Sequence, residues 1–193
     1  MAKRKSTFIN MVLTLFVVSF VASTALGFIF ELTKEPIAKA RLEKKKAAIR
    51  LVTPEFSNNP IDDMYKIEIP DNDSLECYPS KNQNGELLGT AIKSYSDKAF
   101  NERIYIMVGF HPDGTIHNTS VLSHKETPGL GDKMNKKKSD WSNQFNGKNP
   151  ESFKLLVTKD GGDIDAITAA TISSRAYTEA VDKAYKEYKK LDQ

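Results

Sequence analysis

The chain has 193 residues, with 28 lysines and arginines against 25 aspartates and glutamates, and a formal net charge of +3. The excess is uneven: residues 1–30 carry +3, residues 31–50 carry +4, and the other 143 residues hold 18 bases and 22 acids. A main domain that is slightly acidic argues against a general nucleic-acid-binding surface. The apolar fraction of 39% argues against global disorder, and the single cysteine, Cys77, excludes an intramolecular disulfide and any multi-cysteine metal or iron–sulfur site.

The N-terminal segment is strongly apolar, and residues 8–30 contain no charged side chain. A helix of that length spans about 35 Å, enough for a hydrocarbon core of about 30 Å. Ser23, Thr24 and Ala25 have the small side chains of a signal-peptide cleavage site. Apolar residues continue to Phe30, however, and the run is long for a signal peptide. We therefore predict a retained transmembrane helix over residues 8–30.

The charges around this segment do not settle its orientation. Lys3, Arg4 and Lys5 favour a cytoplasmic N-terminus for residues 1–7, whereas seven bases follow the segment within residues 31–50. Those later residues read as a linker helix over 31–53, with Pro36 in its first turn.

Beyond residue 54 the pattern changes to short β-rich runs. Turns are expected at Asn84-Gly85 and at residues 112–114, the latter as a hairpin. The closing helix, from about residue 171 to 190, carries an amphipathic stripe. Strands followed by helices predict an α+β domain over 54–193, an antiparallel sheet with flanking helices. The predicted strands are 64–69, 87–95, 104–110, 115–122 and 153–157, with a short helix within 135–145.

Two segments contain residues suited to ligand binding. The first, HKETPGLGD at residues 124–132, places two glycines around one leucine after a proline. Glycine lets the backbone approach a flat ligand closely, although an ordinary Pro-Gly turn between a strand and a helix has the same residues.

The second segment, residues 161–175, leads from a flexible turn into several hydroxyl side chains at the start of the closing helix. Helix starts have free N–H groups and partial positive charge, so they bind phosphates. Simple N-capping by Thr171 or Ser174 is the alternative. A serine hydrolase is poorly supported, because there is no nucleophile-elbow pattern.

HKETPGLGD at 124–132, together with DAITAATISS at 165–174, resembles the FMN-binding domain family, most closely the G subunits of Rnf electron-transport complexes. The resemblance covers the whole chain. It implies that FMN is joined through its phosphate to Thr171, the last residue of an Asp-x-x-(Ser/Thr)-Gly-Ala-Thr signature that includes Asp165 and Thr168. Ala169 occupies the usual glycine position. Alanine is small and suits a helix start, so flavinylation is expected to survive. If the site needs a positive φ there, alanine costs stability and this expectation is weaker.

The resemblance also implies the other contacts of the flavin, with no catalytic residue and no metal ligand in this chain. The Thr127–Gly131 loop would lie beside the isoalloxazine ring, with Leu130 as apolar cover. A threonine hydroxyl is a poor nucleophile, and a separate flavin transferase, using FAD and a divalent metal, would attach the group. The cofactor-binding residues implied are Thr171, Thr168, Ala169, Ala170, Ser174, Asp165, Glu126, Thr127, Gly129, Leu130 and Gly131.

The function implied is a one-electron relay in a complex that couples ferredoxin–NAD electron transfer to cation transport, with no independent catalysis. Its N-terminus would be cytoplasmic and its domain outside the bacterial inner membrane. Implied partners are membrane and iron–sulfur or flavin subunits, the flavin transferase and membrane lipid, with no nucleic acid. The alternatives are the C subunit of the sodium-translocating NADH:quinone reductase, whose domain usually has more inserted sequence than 193 residues allow, a stand-alone exported flavin-binding module, and an anchored domain without a cofactor.

Overall fold

The computed structural model describes residues 7–70 and 73–191, so the predicted cytoplasmic residues before Thr7 lie outside the described part. The chain divides into two compact units, Met1–Glu43 and Lys44–Gln193. Its helices and strands are, in chain order, α1 (Phe8–Val52), β1 (Tyr65–Ile69), β2 (Asp73–Lys81), β3 (Leu87–Ser96), β4 (Ile104–Phe110), β5 (Ile116–Ser123) and α2 (Thr171–Leu191), with short 3₁₀ helices at Gly131–Met134, Trp141–Phe145 and Thr158–Asp160.

The N-terminal part of α1 has the length and composition of a membrane-crossing helix, and none of its most apolar 18-residue window is buried. Three of its threonine hydroxyl groups are hydrogen-bonded within the helix. Thr14, Thr24 and Thr33 each donate to the carbonyl four residues earlier, at 2.7, 2.8 and 2.8 Å. Because such bonds need no water, threonines are compatible with an apolar environment. The predicted helix over residues 8–30 is present.

Pro36 does not begin a second helix, because α1 runs without interruption from Phe8 to Val52 with Pro36 inside it. Proline removes one backbone hydrogen bond and crowds the preceding turn. The residues after Pro36 are mostly Ala, Leu, Lys, Glu and Arg, which are the strongest helix formers, and they continue the helix.

The second unit contains a five-stranded sheet in the order β1-β2-β3-β4-β5, and every neighbouring pair is antiparallel. The antiparallel sheet is therefore confirmed, as is the hairpin between β4 and β5. There His111 N donates to Thr115 O at 2.8 Å, and Gly114 has a φ of +81°. Glycine adopts that left-handed conformation without a steric cost.

The sequence pattern does not predict strand β2, because this segment begins with polar residues and contains Pro79. Its pairing with β1 ends at Cys77, opposite Tyr65, whereas its pairing with β3 continues past Pro79, which lies opposite Thr90. Pro79 thus occupies a stretch of β2 with one neighbouring strand, where the missing N–H group breaks no ladder.

Both faces of the sheet are covered within the second unit. Helix α2 packs on one face and closes the main apolar core. Ala48, Ile49 and Val52, in the last turns of α1, pack on the other face. Successive residues of β3 and β4 are therefore buried, in place of the alternation of a half-exposed sheet. At Gly109 a β-carbon would overlap the Val52 carbonyl, so glycine permits this close approach.

The predicted strand at residues 153–157 is wrong. Only Val157 forms a β-bridge there, with Ile164. Leu155 and Val157 are buried while Leu156 is 52% exposed, so burial alternates with the period of two that is typical of a strand. Among the described residues, however, no neighbouring strand lies beside this segment. Within 135–145 the helix is confined to the 3₁₀ segment Trp141–Phe145. The closing helix is confirmed, since α2 covers Thr171–Leu191.

Candidate functional site

The two sequence motifs meet at one cleft of the second unit. Its volume is about 330 Å³, at the lower end of the range of about 300 to 1,000 Å³ typical of ligand pockets. One wall comes from the loop after β5, and the other from the start of α2. The lining residues are Phe100, Glu126, Thr127, Leu130, Gly131, Ala169, Ala170, Thr171, Ile172 and Ser173.

A tight turn shapes the loop wall. Leu130 N donates to Thr127 O at 3.2 Å, and Gly129 has a φ of +78°. The turn passes directly into the 3₁₀ helix that begins at Gly131. As a result Leu130 is left 39% exposed on the cleft wall.

Glu126 connects three segments of the chain beneath the cleft. The side chain is only 5% exposed. Its Oε1 accepts the Phe100 N–H at 2.9 Å, and its Oε2 accepts the hydroxyl of Ser173. Both carboxylate oxygens are thus engaged with the protein, and Glu126 holds the β3–β4 loop, its own loop and the first turn of α2 together.

Gly131 lies where these walls are closest. A β-carbon at this position would stand 2.6 Å from Glu126 Oε2 and would also overlap the Ser173 hydroxyl. Real side-chain carbons do not come so near to oxygen, so a side chain here would separate the two walls. The glycine predicted to let the backbone come close does so against Glu126 and Ser173.

Thr171 is the first residue of the 21-residue helix α2 and lies in the cleft wall. The helical bonding pattern begins with Ser174 N donating to Ala170 O at 3.0 Å. The N–H groups of Thr171, Ile172 and Ser173 therefore have no acceptor within the helix, and the helix dipole adds partial positive charge. This end of the cleft suits an anionic group.

Ala169 has a φ of +60° and is the only non-glycine residue with positive φ in the described ranges 7–70 and 73–191. In the left-handed region a β-carbon crowds the carbonyl oxygen, which costs alanine roughly 1 to 2 kcal/mol. Glycine is therefore favoured at this position of the signature, because the turn into α2 needs a residue in the left-handed conformation. Alanine retains the conformation here at an energetic cost.

Four residues implied as contacts do not line the cleft. Ser174 is fully buried, accepts the Ile167 N–H at 2.8 Å and donates to Ala170 O at 3.0 Å, so it stabilises the turn before α2. The Asp165 backbone is held by Gln144 and by Trp141, whose Nε1 donates to the Asp165 carbonyl at 2.5 Å. Thr168 and Gly129 are exposed and lie outside the lining.

The structure adds residues that the motifs do not indicate. Phe100 and Ile172 are 61% and 48% exposed and give the cleft an apolar rim. Lys159 lies 12 residues before Thr171, and its Nζ donates to the Thr171 hydroxyl oxygen at 3.5 Å. Ile172 could have been noticed as an apolar residue among hydroxyls, whereas Phe100 and Lys159 lie on loops without a motif.

Comparison with known proteins finds a domain family and related subunits. The model of the FMN-binding domain family matches residues 100–186. The G subunit of the ion-translocating oxidoreductase complex of Aliivibrio fischeri (strain MJ11) is 35% identical, over 93% of this chain and 89% of that protein. The corresponding G subunit of Erwinia tasmaniensis is 33% identical, over 88% and 84%.

Among solved structures, NqrC of Shewanella oneidensis is similar with 24% identity and a TM-score of 0.47, covering 74% of this chain and 67% of that one. The two relatives from Aliivibrio and Erwinia match most of the chain. The chain therefore belongs to the family of ion-translocating oxidoreductase complex G subunits, and it contains an FMN-binding domain.

Proposed function

We propose that this chain carries FMN covalently on Thr171 and relays electrons within an Rnf-type complex that couples ferredoxin–NAD electron transfer to cation translocation. The observation that carries the proposal is the joining of the two motifs in one cleft, where Thr171 lines the wall and the Thr127–Gly131 loop stands nearby. When bound, FMN supplies the electron-carrying chemistry, while the protein binds and orients it.

The residues present fit such a group. The start of α2 offers N–H groups and partial positive charge to a phosphate. Leu130, Phe100 and Ile172 supply apolar surface for a flat ring. Gly131 keeps the backbone close to the cleft, because a β-carbon there has no room. Thr171 provides the hydroxyl that a phosphoester requires, and its covalent bond would prevent loss of the flavin outside the cytoplasm.

Maturation requires a partner enzyme in this proposal. A threonine hydroxyl is a weak nucleophile without activation, so we infer that a flavin transferase uses FAD and a divalent metal to modify Thr171. Ala169 already has the left-handed conformation that a glycine would adopt freely. We therefore expect the turn to be presented to the transferase in its normal shape despite the alanine.

The proposed topology is a single span of the bacterial inner membrane by residues 8–30, with a cytoplasmic N-terminus and the flavin domain outside. The apolar helix and the membrane-complex relatives support an anchored subunit. Long domains are translocated largely regardless of flanking charge, which reconciles this orientation with the seven bases of residues 31–50. Its partners would be the membrane and iron–sulfur or flavin subunits of the complex, together with surrounding lipid.

The test is co-expression of the full chain with a flavin transferase, followed by denaturing electrophoresis and intact mass measurement. We expect in-gel flavin fluorescence and the added mass of one FMN residue, both lost in Thr171→Ala. Ser152→Ala is the matched control, because it removes an exposed hydroxyl outside both motifs and outside the cleft lining. Covalent flavin that persists in Thr171→Ala refutes the attachment site.

Topology is tested separately with a reporter fused after residue 193. The proposal expects a periplasmic reporter such as alkaline phosphatase to be active and a cytoplasmic reporter to be silent. The reverse pattern contradicts the proposed orientation without affecting the flavin site.

A further inference from the structure

A short turn brings a cation next to the hydroxyl of Thr171. The segment Thr158–Asp160 forms a 3₁₀ helix that ends at Gly161, whose φ is +79°. Lys159 lies in the middle of this turn, and its Nζ donates to Thr171 Oγ1 at 3.5 Å. The two residues are on different elements, so their proximity depends on how the turn is attached to α2.

The attachment is an ion pair between the turn and the helix. Arg175 Nε and Nη2 each donate to one carboxylate oxygen of Asp160, at 2.7 Å. Hydrogen bonds from Arg175 lower the pKa of Asp160, which keeps this carboxyl ionised. Arg175 thus holds the turn beside the first turns of α2. It also neutralises the carboxylate of Asp160, which follows Lys159 in the sequence. The ammonium group of Lys159 is left to act on Thr171.

This placement matters for the reaction proposed for Thr171, on which the present inference rests. Thr171 Oγ1 forms a bond to the flavin-side phosphorus of FAD, and the bond from that phosphorus to the bridging oxygen breaks. AMP leaves with the electron pair, and the hydroxyl proton is released to solvent or to the transferase. No electrons change hands, and the new phosphodiester keeps one negative charge.

We propose that Lys159 is the counter-ion of this phosphodiester and promotes its formation. Its ammonium group lies 3.5 Å from the reacting oxygen, so it faces the phosphate oxygens that come to Thr171 and stabilises their negative charge as the bond forms. After the transfer, the same group pairs with the phosphodiester next to the start of α2. The ligand class of this subsite is a singly charged phosphate ester.

The experiment follows flavin incorporation into the purified full chain with transferase, FAD and Mg²⁺. Lys159→Gln removes the charge, Lys159→Arg keeps it, and Lys154→Gln is the matched control, an exposed lysine of the same stretch. We expect about tenfold slower incorporation in Lys159→Gln; this is less than the roughly 100-fold loss for a buried oxyanion donor, because Lys159 is exposed. Lys159→Arg should recover to within about threefold of the wild type, because it keeps a charged donor at this position.

A salt titration separates a charge effect from a structural one. Raising ionic strength should slow the wild type more steeply than Lys159→Gln, since the other exposed charges are screened in both proteins and only the wild type also uses the charge of Lys159. Equal melting temperatures of the flavin-free proteins show that the variants fold alike.

The inference is overturned if Lys159→Gln incorporates flavin at the wild-type rate, or if Lys159→Arg is as slow as Lys159→Gln. If Lys159→Gln melts well below the wild type, the two proteins are compared by how steeply the rate of flavin incorporation falls with ionic strength. Equal slopes for the two proteins also refute the proposal. A wild-type chain that takes up no flavin on Thr171 is a different result, because it refutes the proposed function itself.

Discussion

Replacing Ala169 by glycine tests the least usual backbone feature of the site. Ala169 has a φ of +60°, and its exposed methyl group contributes little packing. In the left-handed region alanine is strained by roughly 1 to 2 kcal/mol, whereas glycine is not. Glycine loses more freedom on folding, which offsets about 0.5 to 1 kcal/mol. The net expectation for Ala169→Gly is a stabilisation of up to about 1.5 kcal/mol, with a middle value of about 0.75 kcal/mol.

For a unit of this size, 1 kcal/mol shifts the melting temperature by about 2 to 4 °C. Ala169→Gly should therefore raise Tm by about 2 °C, and by at most about 6 °C, in the flavin-free protein. Urea unfolding should give the same sign. Ala166→Gly is the matched control. It lies in the same loop, is partly buried against the core and does not have positive φ. Glycine there should lower stability by about 0.5 to 1 kcal/mol.

Equal destabilisation by the two glycine substitutions would refute the argument, because it would mean that residue 169 is not left-handed in solution. Flavin incorporation provides a second measurement on the same variant. A turn that is relieved of strain while keeping its shape should be modified at least as fast as the wild type. Slower modification would mean that the alanine methyl group itself is recognised.

Three further measurements test the packing of the second unit. Gly131→Ala should lower stability by about 2 kcal/mol or more and block flavin incorporation, because its β-carbon meets Glu126 and Ser173. Burial acts to raise the pKa of Glu76, but hydrogen bonds from Lys45, Lys93 and Tyr78 lower it to about 2. Its stabilisation should be complete above pH 4.5 and vanish as the pH falls towards 2, and Glu76→Gln should flatten this acid dependence in urea titrations. Burial and the charge of Glu187 raise the pKa of Cys77 to about 12, so iodoacetamide should label it only after unfolding.

The elements that can be predicted from the sequence are those marked by a pattern of neighbouring side chains. The uncharged run of residues 8–30, the hairpin at residues 112–114 and the stripe of α2 were all recognisable from residue type and spacing. Each depends on interactions within a few residues: helix periodicity, turn geometry and capping. The two flavin motifs belong to the same class, since each is a short local pattern.

Other elements depend on neighbours distant in the sequence. Strand β2 is a strand despite Pro79, because β1 ends before Pro79 and leaves its side of the ladder open. Residues 153–157 have the alternation of a strand, but only Val157 forms a β-bridge, with Ile164, and no strand in the described part of the chain lies beside the segment. In both cases the neighbouring chain segment, more than the residue types, decides whether the segment forms a strand. The neighbour is set by the tertiary structure.

The candidate site divides in the same way. The sequence by itself determined that a glycine-rich loop and a hydroxyl-rich helix start exist, and that Thr171 is the residue to modify if the resemblance holds. Only the tertiary structure decided that the two share a cleft, that both oxygens of Glu126 are used within the protein, and that Lys159 stands beside Thr171. Electrostatic and packing interactions act over a few ångströms in space, and the chain brings those atoms together only when the sheet and α2 have packed.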